Sequence, residues 1–219
     1  MASLLSSKPW LQAIKRRWQI YRLADPAFRF MFESAPPNEW VTLDCHTTGM
    51  DLLEDEIISI EAVRITGNRI MTSERLELLV RPQRAVSAES VRIHHLREQD
   101  LADGLPADEA MKRLMHFVGS RPLVGYYLEF DLAMLNRAIR PLLRIELPQP
   151  AIEVSGLYYD YKMGQQPSHR QHGVPIIDLH FASMMDDLEL PLDVHHEALS
   201  EAVRAALAFV KLRQLRGEA

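Results

Sequence analysis

The chain has 219 residues, 47% of them hydrophobic and 25% charged, with a net charge of −5; this suits one well-packed α/β domain with an appendage and leaves little room for two full domains. A single cysteine excludes an internal disulfide framework and a multi-cysteine zinc site, and it fits a reducing compartment, with the cytoplasm as the expected location. No apolar run reaches the length of a membrane span and the start lacks the charged-then-apolar order of a secretion signal, so no membrane partner is expected.

Charge is unevenly spread: residues 1–39 carry +3 and the remainder −8. Within residues 10–32, Trp10, Ile14, Trp18, Tyr21 and Arg22 recur at three- and four-residue spacings, which predicts one or two amphipathic helices broken at Pro26. The favoured reading is a helix packed across the core with a solvated basic face. The alternative is a basic arm on nucleic acid or a docking helix for a protein partner. Ala35-Pro36-Pro37-Asn38 punctuates the end of this extension, so residues 1–39 are expected to be a helical basic extension, 40–215 the main domain and 216–219 a tail.

From Trp40 the pattern becomes strand-like over 40–44, 57–65 and 75–80, with turn signals at Gly49 and Thr66-Gly67-Asn68, and reads as an antiparallel meander. Helices are expected at 89–100 and 107–118, then a buried strand at 122–126 and a helix over 131–139. A meander followed by alternating helices and strands predicts a mixed α/β sheet flanked by helices. Residues 146–176 are rich in proline and glycine and read as an irregular insertion. The closing helix is expected from near His195 to about Leu215.

The residues that can carry chemistry sit at the ends of these elements. In Asp44-Cys45-His46-Thr47-Thr48-Gly49, strand parity puts Asp44 and His46 side by side on one face, a pair able to hold a metal, and turns Cys45 toward the core. Asp131, in Gly125-Tyr126-Tyr127-Leu128-Glu129-Phe130-Asp131, lies at a strand-to-helix junction, where ligands gather at sheet edges. In His196-Glu197-Ala198-Leu199-Ser200-Glu201-Ala202, five helical residues rotate by about 500°, so His196 and Glu201 cannot both face one site from an undistorted helix. That places His196 on the preceding loop or first turn. Taken singly, each of these residues has an ordinary reading as a turn, cap, surface or core residue.

Together, these three stretches resemble the motifs of the DnaQ-like, DEDDh-type 3′ to 5′ exonucleases, from about Trp40 to about Leu212. The segment Ser90-Val91-Arg92-Ile93-His94-His95 is similar to a further recurrent stretch of that family, with His95 in the place of a glycine. The resemblance implies a ribonuclease H-like fold, an activity on the 3′ end of single-stranded DNA or RNA, and two divalent metal ions, Mg2+ or Mn2+. Carried over by motif, Asp44, Asp131 and Glu201 become metal ligands, His46 a ligand of altered type, and His196 the general base. Two ions of this kind stabilise both the attacking and the leaving oxygens of a phosphodiester. An acidic core does not contradict such a role, because a metal site concentrates carboxylates.

Two positions depart from the family pattern: His46 replaces a glutamate and Glu201 an aspartate. An imidazole removes one negative charge and suits manganese, cobalt, nickel or zinc better than magnesium. Glu61, at a position where the family commonly has glycine, is a possible compensating acid, but parity alone leaves open what it faces. Besides a metal-shifted exonuclease, two alternatives stand: a catalytically weakened fold that binds nucleic acid or a protein partner, and an oligoribonuclease or dinucleotidase.

Overall fold

In a computed structural model that describes residues 9–165, 176–192 and 201–218, the first three strands form the expected meander. β1 (Glu39–Thr47) pairs antiparallel with β2 (Ile57–Thr66), which pairs antiparallel with β3 (Arg69–Leu79). Gly67 at φ +60° makes the tight β2–β3 turn, a conformation that a side chain would disfavour. β4 (Leu123–Gly125) then adds parallel to β1, and β5 (Ala151–Glu153) parallel to β4, giving the order β3-β2-β1-β4-β5.

Alternation along β1 and β2 divides the core in two. Val41, Leu43, Cys45, Ile60 and Ala62 face one layer, built from the 3-10 helix Pro26–Phe32, α4 (Ala107–Val118) and α5 (Leu128–Leu143). Val63, Ile65 and Val124 face the other, built from α6 (Val154–Gly164), α7 (Phe181–Asp187) and α8 (Glu201–Leu215). On that second face Phe209 meets Trp40 edge-on at 5.3 Å, and the Arg213 guanidinium lies 4.2 Å from the Trp40 ring. Arg213 also donates to the Gly67 carbonyl, so α8 is clamped across the sheet from the β2–β3 turn toward the strand ends.

Several local expectations change. Residues 146–176 do not form one irregular insertion: β5 and α6 occupy Ala151–Gly164. β5 has only three residues, too few for a period-two pattern to stand out, and its pairing with β4 is a tertiary contact. The expected helix at 89–100 is two helices, α2 (Ala88–His94) and α3 (Glu98–Leu101), because His95 adopts the left-handed conformation at φ +59°. α5 begins at Leu128 and runs past Pro141 to Leu143.

α1 (Pro9–Arg22) departs most from its expected packing. Its last turns are anchored by buried Gln19, by Ile20, and by Arg16 donating to the Phe32 carbonyl. The stripe Trp10, Ile14, Trp18 and Tyr21 stays exposed, Tyr21 at 88%. Periodicity predicts a helix correctly here, but not that its apolar stripe is covered. His195 and His196, where the closing helix was expected to start, lie outside the described residues, as do His169 and His172.

Phe209→Ala should lower the unfolding free energy by about 3–5 kcal/mol, measured by urea denaturation, because it removes the aromatic that seats α8 on Trp40.

Candidate active site

The site lies where the parallel strands β1 and β4 end. β1 carries Asp44 and His46, and its pairing with β2 shifts register between His46 and Thr47, so the regular ladder stops just beyond the two side chains. Asp44 lies opposite Glu61 and His46 opposite Ser59, and residues directly opposite on paired strands share a face. That face is the one α8 covers, and Glu201 is the first described residue of α8.

One ligand atom each of Asp44, His46 and Glu201 lies within 4.8 Å of the others, close to the spread of donors around one divalent ion. His46 Nε2 is 3.7 Å from Asp44 Oδ2. The set of two carboxylates and an imidazole fits a divalent cation, with the nitrogen favouring a transition metal.

Asp131 comes from the other side. Its helix, α5, follows β4 after a turn in which Tyr127 takes φ +55°, and Asp131, 5% exposed, accepts a hydrogen bond from the Cys45 backbone N–H. Glu153, at the end of β5, holds this turn: its carboxylate accepts from the Tyr127 N–H at 3.1 Å and the Leu128 N–H at 2.9 Å. It also accepts from the Ser155 N–H and Oγ, capping α6. Sequence reading passed over Glu153 because its strand was not recognised; a carboxylate two residues before a serine at a helix start is the signal that was available.

The acids act on one another. Burial, then the Glu201 and Glu61 charges and a hydrogen bond with Glu201, push the Asp44 carboxyl up to about 7, and Arg204 pulls it partly back. Burial, then Asp44, raise Asp131 to about 8, against the Cys45 N–H. Arg204 is held by Glu201 Oε1 at 3.4 Å, and its buried Nε has no hydrogen-bond partner among the described residues. Cys45 is free and buried, and its thiol is held well above its usual range by burial first and by Asp131 and Asp44 next, which fits a core residue.

Asp44, Cys45, His46, Asp131 and Glu201 line a cleft of about 300 Å³. One wall is α2: Ser90 and Ser87 donate to the Thr48 carbonyl, fixing that helix to the turn after β1. The His94 ring lies 5.6 Å from the His46 ring; its Nδ1 accepts from the Leu96 N–H, its buried Nε2 has no partner among the described residues, and burial lowers its pKa. The rim is apolar and exposed, with Tyr127, Ile93 and Met50, whereas Tyr126 packs on Phe181 and donates to the Leu179 carbonyl. A larger hollow of about 400 Å³ lies between α1 and the far end of α5, but its one acid, Glu146, is paired with Arg140. Donor chemistry, not size, marks the functional cleft.

A mixed sheet with acids converging at the parallel strand ends is the architecture of the ribonuclease H-like nucleases. The Exonuclease family model matches residues 41–209, and the chain belongs to this DnaQ-like exonuclease family, whose members generally use divalent metal ions. It is 23% identical over 173 residues to DNA polymerase III PolC-type of Bacillus cereus, and 28% identical over 177 residues to a DNA polymerase III subunit epsilon-like protein of Rhodobacter capsulatus. The matches cover 79% of this chain but only 11% and 23% of those relatives. Among solved structures, Exonuclease X in complex with 5′ overhanging duplex DNA matches with a TM-score of 0.60 and 21% identity, over 81% of this chain and 93% of that one. Exonuclease I of E. coli with a dA16 oligonucleotide matches with a TM-score of 0.66 and 13% identity, over 83% of this chain and 42% of that one. These neighbours establish the fold. Among the described residues no helix is long and apolar enough to cross a membrane.

Because the native pKa values of Asp44 and Asp131 lie above the unfolded carboxyl values, their contribution to stability is full below about pH 4 and is lost as pH rises through 7 to 8. Metal-free protein should therefore melt roughly 10 °C lower at pH 8 than at pH 5. Asp44→Asn should remove much of that difference in thermal unfolding followed in a chelator.

Proposed function

We propose that this domain is a metal-dependent exonuclease that releases nucleotides from the 3′ end of single-stranded or frayed nucleic acid, with a site adapted to Mn2+. The observation that carries this reading is the convergence of Asp44, His46 and Glu201 beside Asp131 in an open cleft, in a chain that belongs to an exonuclease family.

Asp44, His46, Asp131 and Glu201 would hold the ions, a pair for which magnesium and manganese are the candidates. When bound, such ions lower the pKa of water and stabilise charge on the attacking and leaving oxygens. The chain supplies the rest. His196, outside the described residues, would take the proton from the attacking water. Buried Asp131 and Asp44 give up their protons as cations bind, so ion binding and proton release are linked. Arg204, one turn beyond Glu201, steadies that acid. The rim residues Tyr127, Ile93 and Met50 offer an apolar surface to the terminal bases without hydrogen-bond readout, which suits a sequence-tolerant enzyme. The relatives named for DNA polymerase III and the neighbours solved with DNA support nucleic acid as the substrate.

The exposed stripe of α1, flanked by Lys15, Arg17 and Arg22, supports a docking role for the N-terminal extension toward a protein partner. The free, buried Cys45 accords with a cytoplasmic location. A second reading has one observation in its favour, the imidazole at position 46 in place of a carboxylate: the domain binds nucleic acid or a partner without cutting.

Wild type should shorten 3′-terminal strands of end-labelled DNA or RNA faster in Mn2+ than in Mg2+, Asp44→Ala should reduce the rate by about a thousandfold or more, and His46→Glu should shift the preference toward Mg2+. No shortening by folded wild type in either ion overturns the proposal. Cutting by His46→Glu alone favours the binding reading.

A further inference from the structure

We propose that Glu61 is a ligand of the same metal site and supplies the anionic oxygen that position 46 lacks; the inference rests on the metal-dependent reading above. Two observations carry it. First, Glu61 is the register partner of Asp44 across β1 and β2, so the two carboxylates share a face of the sheet. Directly opposite residues have Cβ atoms about 4.5–5.5 Å apart, closer than residues two apart along a strand, about 6.6 Å. Glu61 thus starts close to Asp44 and its side chain has the reach of a glutamate, although the ligand atoms gathered within 4.8 Å are those of Asp44, His46 and Glu201.

Second, Glu61 is an acid whose side chain has no cation of its own among the described residues. It lies between two acids, Asp44 on β1 and Glu77 on β3. Glu77 is neutralised by Arg75 at 2.8 Å, and Arg204 is taken by Glu201. Glu61, half-buried, makes no hydrogen bond or ion pair among the described residues. Like charges directly opposite on a sheet are destabilising, so an unpaired acid here weakens the metal-free fold unless a cation joins it. With an imidazole in place of a carboxylate at position 46, Asp44, Asp131 and Glu201 would bring three negative charges to two divalent ions. Glu61 brings the fourth. The imidazole and the displaced carboxylate form one compensated change: the oxygen donor moves from two residues along β1 to the neighbouring strand.

The test uses the full chain, Mn2+ and no nucleic acid, with calorimetric titration and the paramagnetic resonance of free Mn2+ as readouts. Wild type should bind two ions. Glu61→Gln and Glu61→Asp should each weaken the second ion by about tenfold or more, and His46→Glu placed in the Glu61→Gln background should restore it. In chelator, Glu61→Gln should melt at or above the wild-type temperature, because it removes a like charge without disturbing the fold. Glu61→Asp keeps the charge and shortens the reach: if it binds both ions as wild type does, Glu61 is a neighbouring charge and not a ligand, and the inference fails. It fails equally if Glu61→Gln binds as wild type or if His46→Glu gives no rescue. Wild type that binds no Mn2+ would instead overturn the metal-dependent reading itself.

Discussion

Like-charge repulsion at the ends of β1 and β4 is the constraint around which the domain is arranged. Asp44, Asp131, Glu201 and Glu61 come from four elements, β1, α5, α8 and β2, and the packing that seals the core also drives them together. Asp131 is buried and Asp44 and Glu61 are half-buried, where a carboxylate charge is costly, while Glu201 keeps its exposure to water. The metal-free chain answers by retaining protons on Asp44 and Asp131 and by leaning on a single nearby guanidinium, that of Arg204. Everything that holds the acids in place has to exceed this repulsion. The Trp40–Phe209–Arg213 clamp seats α8, and the two-sided hydrophobic core fixes β1. A cation bound among these acids, as proposed above, would relieve that repulsion without the acids having to be brought together.

Much of this arrangement is legible in the sequence, for physical reasons that differ from residue to residue. The meander is written in long period-two strands, and Asp44 and His46 stand out because alternation assigns them a face without any tertiary knowledge. Asp131 is visible because a buried strand is followed at once by helix-forming residues. β5 and α6 are not legible: a three-residue strand has no period to detect, and the prolines and glycines around it look like loop. The break at His95 is hidden for a related reason, since histidine gives no warning of a positive φ where a glycine would have.

Glu61 and α1 show a different limit. Parity says that Glu61 points with Ser59 and Val63, but which β1 residue it opposes depends on register, and register is set by the whole two-stranded pairing. The α1 stripe follows the rule for a core-facing helix and yet faces solvent, since periodicity reports that a face is apolar and not what covers it. Motif resemblance proposes a ligand type at each position, while the balance of charge among those residues emerges only when the strands are laid side by side.

The double role of Glu153 carries a consequence for how the site can move. One carboxylate takes N–H donors from the starts of both α5 and α6, so these two helices pivot on a common point at the edge of the sheet. A displacement of α6 is therefore not local. It is passed through that pivot to the turn at Tyr127, and from there to the first turn of α5, where Asp131 resides. The position of an acid deep in the cleft is thereby geared to a helix on the far side of the sheet edge, and whatever leans on α6 from outside acquires a lever on the spacing between Asp131 and Asp44.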